Sequence, residues 1–315
     1  MPVFNIHHVT KYEYDRPVKE SVNEIKIYPA PGSEQEVLYH DVNVTSNPDI
    51  MIINDYWGNK FGMFNIITPH QELIVESKLI VRTLRSETSL HNLSGSFEQL
   101  KEEVNNNFTL LELCCIEDPS LTDDINSIVK GIASPEQSVT AFVDACSNYI
   151  YNQFRYIKGI TNIQTTLEEI LKLRSGVCQD FAHIMLEVLR NAHIPCRYVS
   201  GYICPNQNGM RGEGATHAWA EAWIPGAGWT GIDPTNNVWV SGNHVKLAVG
   251  RNFNDCSPVK GTFKGPAKQS LSVFVSVGYE DGHKFEDITK VKMEKLSDDN
   301  HDPDILASFA GQQQQ

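Results

Sequence analysis

The chain has 315 residues, 41% hydrophobic and 21% charged, the balance of an ordinary soluble globular protein long enough for two domains. Its net charge of −13 argues against nucleic acid or anionic lipid as the main partner, because both reward basic patches. Seven cysteines, an odd number with no C-x-x-C pair, argue against a disulfide framework and a structural zinc site. No apolar run approaches the ~20 residues of a membrane helix, so no membrane partner is expected. The opening MPVFNIHHVTKYEYD lacks the basic and apolar regions of a signal peptide, and a cytoplasmic location is the expectation.

The first third reads as β-structure. VFNIHHVTKYEYD alternates through Phe4, Ile6, Tyr12 and Tyr14; EIKIYPA, HDVNVTSN, KFGMFNI and ELIVESKLIVRTL continue in that manner, with turn signals such as APGS and DYWGN between them. Such short strands without a helical stretch predict a small antiparallel β-sandwich. Residues 86–96, SETSLHNLSGS, are polar and read as a linker.

Helical patterns follow. SFEQLKEEV opens with a capping box, Ser96 preceding Gln99 by three residues. Pro135-Glu136 predicts another helix start, carried on by Val139, Phe142, Val143, Cys146 and Ile150 at helical spacing. TTLEEILKLRSG is a third helix, expected to end at Gly176. CRYVSGYI, THAWAEAWI, GWTGIDPT and, later, LSVFVSVGYE read as strands, and the last residues as a loose, low-complexity tail.

The clearest helix is SGVCQDFAHIMLEVLRNAH, residues 175–193, with an apolar stripe of Val177, Phe181, Ile184, Met185, Val188 and Ala192. Ser175 is its expected cap. Cys178 falls in the first turn, where open backbone amides and the helix dipole favour a thiolate, the nucleophilic form of cysteine. Its own amide is a natural oxyanion donor.

A thiol nucleophile needs a histidine to move protons. His183 lies five residues along the same helix, roughly 140° around its axis from Cys178, and is rejected as the base. His217 is better placed. THAWAEAWI alternates, with His217, Trp219, Glu221 and Trp223 on one face and Ala218, Ala220 and Ala222 on the other, the alanine face suiting close packing on the Cys178 helix. The chain turns at PGAG and returns as WTGIDPT, which brings Asp233 opposite His217 or one diagonal away. A carboxylate there fixes the imidazole tautomer and favours its charged form. The plainer readings are a core cysteine, a bonded strand histidine and an aspartate that starts a turn before Pro234. Asp180 and His183 either line the cleft or are hydrogen-bonded helix residues. Tyr156 and Gln164 are both candidates for a second oxyanion donor.

At SGVCQDFAH, IPCRYVSGYI, THAWAEAWIPGAGWTGIDPT and the upstream FRYIKGIT, the sequence resembles the transglutaminase-like superfamily, in particular the bacterial transglutaminase-like enzymes grouped with cysteine proteases. GRNFNDCSPVKGTF is similar as well, so the likeness covers about residues 150–265. The resemblance implies a papain-like α+β core with a Cys–His–Asp triad on Cys178, His217 and Asp233, preceded by an N-terminal antiparallel β-sandwich-like domain. The expected division is residues 1–95, 96–295 and a tail of 296–315. Members of the superfamily cross-link glutamine to amines, deamidate, hydrolyse peptides, deglycosylate asparagine or have lost activity. Gln179 stands where the animal cross-linking enzymes carry an aromatic residue, which favours hydrolysis of an amide or peptide bond. The alternatives are a cross-linking transglutaminase and an inactive binding protein of the same fold. A peptide or protein substrate is expected, with neither a metal nor an organic cofactor.

Overall fold

The computed structural model describes residues 1–30, 32, 34–84, 95–162, 165–204, 209–212 and 215–279, with the backbone of three short strands beyond them. The first third is built from β1 (Val3–Val18), β2 (Ser21–Ile25), β3 (Gln35–Val44), β4 (Met51–Asn54), β5 (Lys60–Ile66) and β6 (His70–Thr83). Phe4, Tyr12 and Tyr14 of the alternating first strand are buried, as its period of two requires. Most of the expected linker, its residues 86–94, lies outside the described residues.

The middle is helical: α1 (Phe97–Asn105), α2 (Phe108–Leu113), α3 (Thr122–Ile132) and α4 (Val139–Gln153). The Ser96–Gln99 capping box forms as read, each side chain taking the other residue's backbone N–H at 3.2 Å. The fourth helix starts later than Pro135. Glu136 has φ of 59°, which no right-handed helix accommodates, and Ser138 caps the first turn by accepting the Ala141 N–H at 3.1 Å. The second and third helices escaped the sequence reading because one is only 6 residues long and the other follows without a polar cap.

Next come β7 (Arg155–Tyr156), α5 (Leu167–Leu173), β8 (Ser175–Gly176) and α6 (Cys178–Asn191). The fifth helix stops before Gly176, because Arg174 already turns left-handed at φ 49°. β7 and β8 pair in parallel, with Tyr156 opposite Gly176. The remaining elements are β9 (Cys196–Ile203), β10 (Ala215–Ile224), β11 (Gly228–Asp233), β12 (Val238–Trp239), β13 (His244–Gly250), α7 (Phe253–Cys256), β14 (Val259–Lys264), β15 (Gln269–Tyr279), β16 (Lys284–Phe285), β17 (Met293–Glu294) and β18 (Leu306–Ala310).

Three larger sheets result. The order β12-β11-β10-β9-β13 forms the sheet of the α+β core, on which the sixth helix packs. Ala182, Met185 and Leu189 of that helix share one apolar cluster with Ala218, Ala220 and Ala222, the alanine face the alternation predicted. The other two sheets, β16-β15-β1-β6-β3 and β18-β14-β2-β5-β4, are antiparallel throughout and bury Tyr12, Ile25, Phe64, Leu73 and Phe263 together, which bears out a sandwich-like N-terminal region.

That region is not made from residues 1–95 alone. β15 pairs with β1 along eleven positions from Phe4↔Tyr279 to Tyr14↔Gln269, and β14 pairs with β2. Strand pairing therefore puts residues 259–279 with the N-terminal sheets, where sequence order had put them with the core. β18 adds to β14 within what the sequence presented as a loose tail. Long-range pairing leaves no local signal, since any alternating strand can complete any open edge. A further apolar cluster, including Phe4, Ile6, Val81, Tyr202, Val245 and Val277, fastens the N-terminal sheet to the core sheet. Among the described residues no helix is long and apolar enough to cross a membrane.

Candidate active site

Cys178 is the first residue of α6, after Gly176 and an extended Val177. Ser175 is not the cap; it lies in β8, and its hydroxyl donates to the Leu173 carbonyl oxygen at 2.9 Å. The capping role falls to Asp180, whose Oδ2 accepts the Val177 N–H at 2.8 Å and the Thr161 hydroxyl at 2.6 Å. Asp180 is thereby a bonded helix residue. Burial raises its carboxyl above the ordinary value, against the two hydrogen bonds it accepts. His183 is likewise structural: its Nε2 accepts the Phe253 N–H at 3.2 Å, and burial pushes its pKa down to about 4.

The structure brings His217 and Asp233 together. In the β10–β11 register Ala220 faces Ile232 and Trp223 faces Trp229, so Asp233 sits one diagonal from His217. His217 Nε2 lies 2.8 Å from Asp233 Oδ2, both side chains fully buried. A carboxylate only accepts, so Nε2 carries the proton and Nδ1 is the open ring nitrogen. Nδ1 is buried without a formed hydrogen bond among the described residues. Burial alone would lower the imidazole pKa, but the Asp233 carboxylate and the Cys178 thiol outweigh it and push it up to about 10. Asp233 is held well below the usual carboxylate range: burial opposes ionisation, and the charge and hydrogen bond of His217 prevail.

Asp233 also starts a turn, as its plainer reading had it. Its Oδ1 accepts the Thr235 N–H at 2.9 Å, and its Oδ2 accepts Asn236 Nδ2 at 2.7 Å. His244 Nε2 approaches the same Oδ2 at 3.4 Å. Asn236 and His244 were missed by sequence reasoning. The first had a signal in the turn-forming DPTN; the second had none, because β13 joins the sheet beside β9, on the far side from β11. His217, Asp233 and His244 are the one described group of three side chains with metal-ligand spacing. Ser241 N–H, however, points at His244 Nδ1 at 3.4 Å, which leaves the proton on Nε2 and makes that nitrogen a donor to Asp233 rather than a ligand.

Among the described residues the buried Tyr156 hydroxyl has no hydrogen-bond partner. Burial raises its pKa far above the ordinary 10.0, and the neighbouring Cys178 and Asp233 add to the rise. Gln164 lies outside the described residues.

An α+β core with a helix-borne thiol beside a buried His–Asp pair, carrying an antiparallel sheet region in front of it, is the architecture of transglutaminase-like proteins. The chain belongs to the transglutaminase-like superfamily: residues 126–234 match its core, and residues 4–82 match the bacterial transglutaminase-like N-terminal region. An uncharacterized Mycobacterium leprae protein is 32% identical over 86% of this chain and 96% of its own length. A Pseudomonas aeruginosa protein-glutamine gamma-glutamyltransferase is 43% identical over 70 residues, which is 21% of this chain and 10% of that protein. The solved structure of a candidate cysteine protease from Cytophaga hutchinsonii shares the fold, with a TM-score of 0.70 over 98% of this chain and 97% of that one at 21% identity.

Proposed function

We propose that the protein is an enzyme of thiol-dependent acyl transfer on amide or peptide bonds, in which Cys178 is the nucleophile, His217 the general base and acid, and Asp233 the residue that orients the ring. The observation that carries this reading is the 2.8 Å contact between His217 Nε2 and Asp233 Oδ2, in a ring whose other nitrogen is open and whose protonation responds to Cys178.

In the proposed reaction the Cys178 thiolate attacks the amide carbonyl carbon and a C–S bond forms. The oxyanion is received by the Cys178 backbone N–H at the helix start and by the Tyr156 hydroxyl, which the β7–β8 register sets level with Gly176. The imidazolium gives its proton to the departing nitrogen as the C–N bond breaks. Neutral imidazole then takes a proton from water, which attacks the thioester and releases a carboxylate and the thiol. Because Cys178, His217 and Asp233 are all fully buried, substrate reaches them only when the cleft opens locally.

Gln179 after the nucleophile favours water as the final acceptor. The 70-residue likeness to a protein-glutamine gamma-glutamyltransferase favours the second reading, an amine acceptor and hence cross-linking. A glutamine-containing peptide offered with a primary amine separates them by mass spectrometry: a new carboxylate identifies hydrolysis, an amine adduct cross-linking. Cys178→Ala loses either product, and an undiminished Cys178→Ala variant overturns the proposal. Failure of Cys178 to react with iodoacetamide faster than the other six cysteines would turn the reading toward a binding protein of this fold.

A further inference from the structure

In a chain of net charge −13, one cation is built into the neighbourhood of the candidate triad. Arg211 lies ahead of β10, and its backbone is held on both sides by one side chain: its N–H donates to Asn236 Oδ1 at 2.7 Å, and Asn236 Nδ2 donates to its carbonyl oxygen at 3.2 Å. The same Asn236 Nδ2 reaches Asp233 Oδ2 at 2.7 Å, so the arginine is tied to the carboxylate that orients His217.

The guanidinium is positioned as well. Its carbon stands 4.2 Å from the centre of the Tyr151 ring, and Nη1 donates to the Thr235 carbonyl oxygen at 3.3 Å. Among the described residues the side chain has no carboxylate partner, and Nε and Nη2 remain as donors. Its charge reaches the Tyr156 hydroxyl, the same group that senses Cys178 and Asp233. Arg211 is half-exposed while the triad is buried, so a ligand in solvent can meet its guanidinium.

A stacked guanidinium with a fixed backbone and open fork donors loses little freedom on meeting a carboxylate. We propose that Arg211 is an anion-recognising residue of the cleft, and that the substrate is an amide carrying a carboxylate beside the bond that is cleaved. This rests on Cys178 as the reacting thiol. The carboxylate is either the C-terminus of a short peptide or an acidic side chain, and both present the same planar acceptor.

The test needs no natural substrate. Cys178 is alkylated in parallel with iodoacetate and iodoacetamide, which share a mechanism and differ in charge, and the two rates are compared as a ratio. Any cost of opening the cleft is common to both reagents and cancels. In the Arg211→Gln variant the iodoacetate-to-iodoacetamide ratio should fall about 3- to 10-fold, since any change in thiolate population enters both rates alike and cancels from the ratio. Arg211→Lys should retain most of the ratio. An unchanged ratio in Arg211→Gln, with Cys178 still labelled selectively, overturns the anion site and leaves the nucleophile standing. Loss of selective labelling by both reagents in the wild type overturns the nucleophile, and the anion site with it. N-acetyl-Gln-Gly with a free C-terminus and N-acetyl-Gln-Asp-amide then identify the source. Protection of Cys178 by the first assigns a terminal carboxylate, protection by the second an acidic side chain, and protection by neither refutes the substrate class.

Discussion

His244 Nε2 stands 3.4 Å from Asp233 Oδ2, the oxygen that His217 Nε2 meets at 2.8 Å, so two histidines from different strands converge on one carboxylate atom. The second histidine limits rotation of the carboxylate and hence of the first ring. His244→Leu should cost about 0.5–1.5 kcal/mol of stability, the worth of one lost hydrogen bond to an oxygen that keeps two others, and it should also slow alkylation of Cys178. His244→Gln restores an N–H donor. If it rescued stability but not the alkylation rate, the orienting role would be lost.

Titration of His217 has a definite sign. Its folded-state pKa of about 10 lies above the ordinary 6.5, so its stabilisation is fully present below pH 6.5 and is lost as pH rises through about 10. Asp233 is depressed, and its contribution is present above the ordinary 3.8 and lost on acidification. Urea midpoints measured across the alkaline window should decline in the wild type and stay nearly flat in His217→Gln. Parallel curves would refute the charged ring.

The proposed oxyanion role of Tyr156 would separate amide turnover from simple thiol reactivity. Removal of one oxyanion donor costs on the order of 10²–10³-fold in turnover. Alkylation of a thiol by iodoacetamide develops no oxyanion. Tyr156→Phe should therefore cut amide turnover strongly and leave the alkylation rate of Cys178 close to wild type. A matched fall in both would mean that the phenol supports the fold of the cleft instead.

Asp180 and Gly176 form one structural unit at the start of the Cys178 helix. A Cβ placed on Gly176 would collide with the Asp180 carboxylate, whose oxygen holds the Val177 N–H. Asp180→Ala should cost about 0.5–2 kcal/mol, the range of a lost helix cap. Gly176→Ala should be destabilising in the native background and less so beside Asp180→Ala, because the Asp180 Oδ2 and Cγ contacts are gone while its Cβ, 2.8 Å away, still has to give. Urea denaturation of the two single variants and the double variant measures that coupling, and simple additivity would contradict it.

The parts legible from sequence were those governed by contacts close along the chain. The helical period from Val177 to Ala192, the alternation through His217 and the turn at Pro225–Gly228 are local patterns, and folding the hairpin about that turn brings Asp233 to His217 with no tertiary information. The Ser96–Gln99 capping box is equally local and forms as read. Where local signals competed, reading failed by a few residues: Pro135 and Ser175 both look like helix starts, but Ser138 and Asp180 supply the caps.

The alternating pattern of an antiparallel strand says which face is buried and nothing about which edge it joins. That β14 and β15 complete the sheets of the first third was decided by the tertiary structure. The same holds for His244, delivered to Asp233 by a strand on the far side of the sheet, and for Tyr156, set level with Gly176 at the start of the Cys178 helix by a two-residue parallel pairing. Arg211 gained its place through the side chain of Asn236, 25 residues on. Sequence determined the chemistry of the pair His217–Asp233 because a hairpin is a short-range object; the groups that clamp, polarise and charge that pair come from elements that meet only when the sheets close.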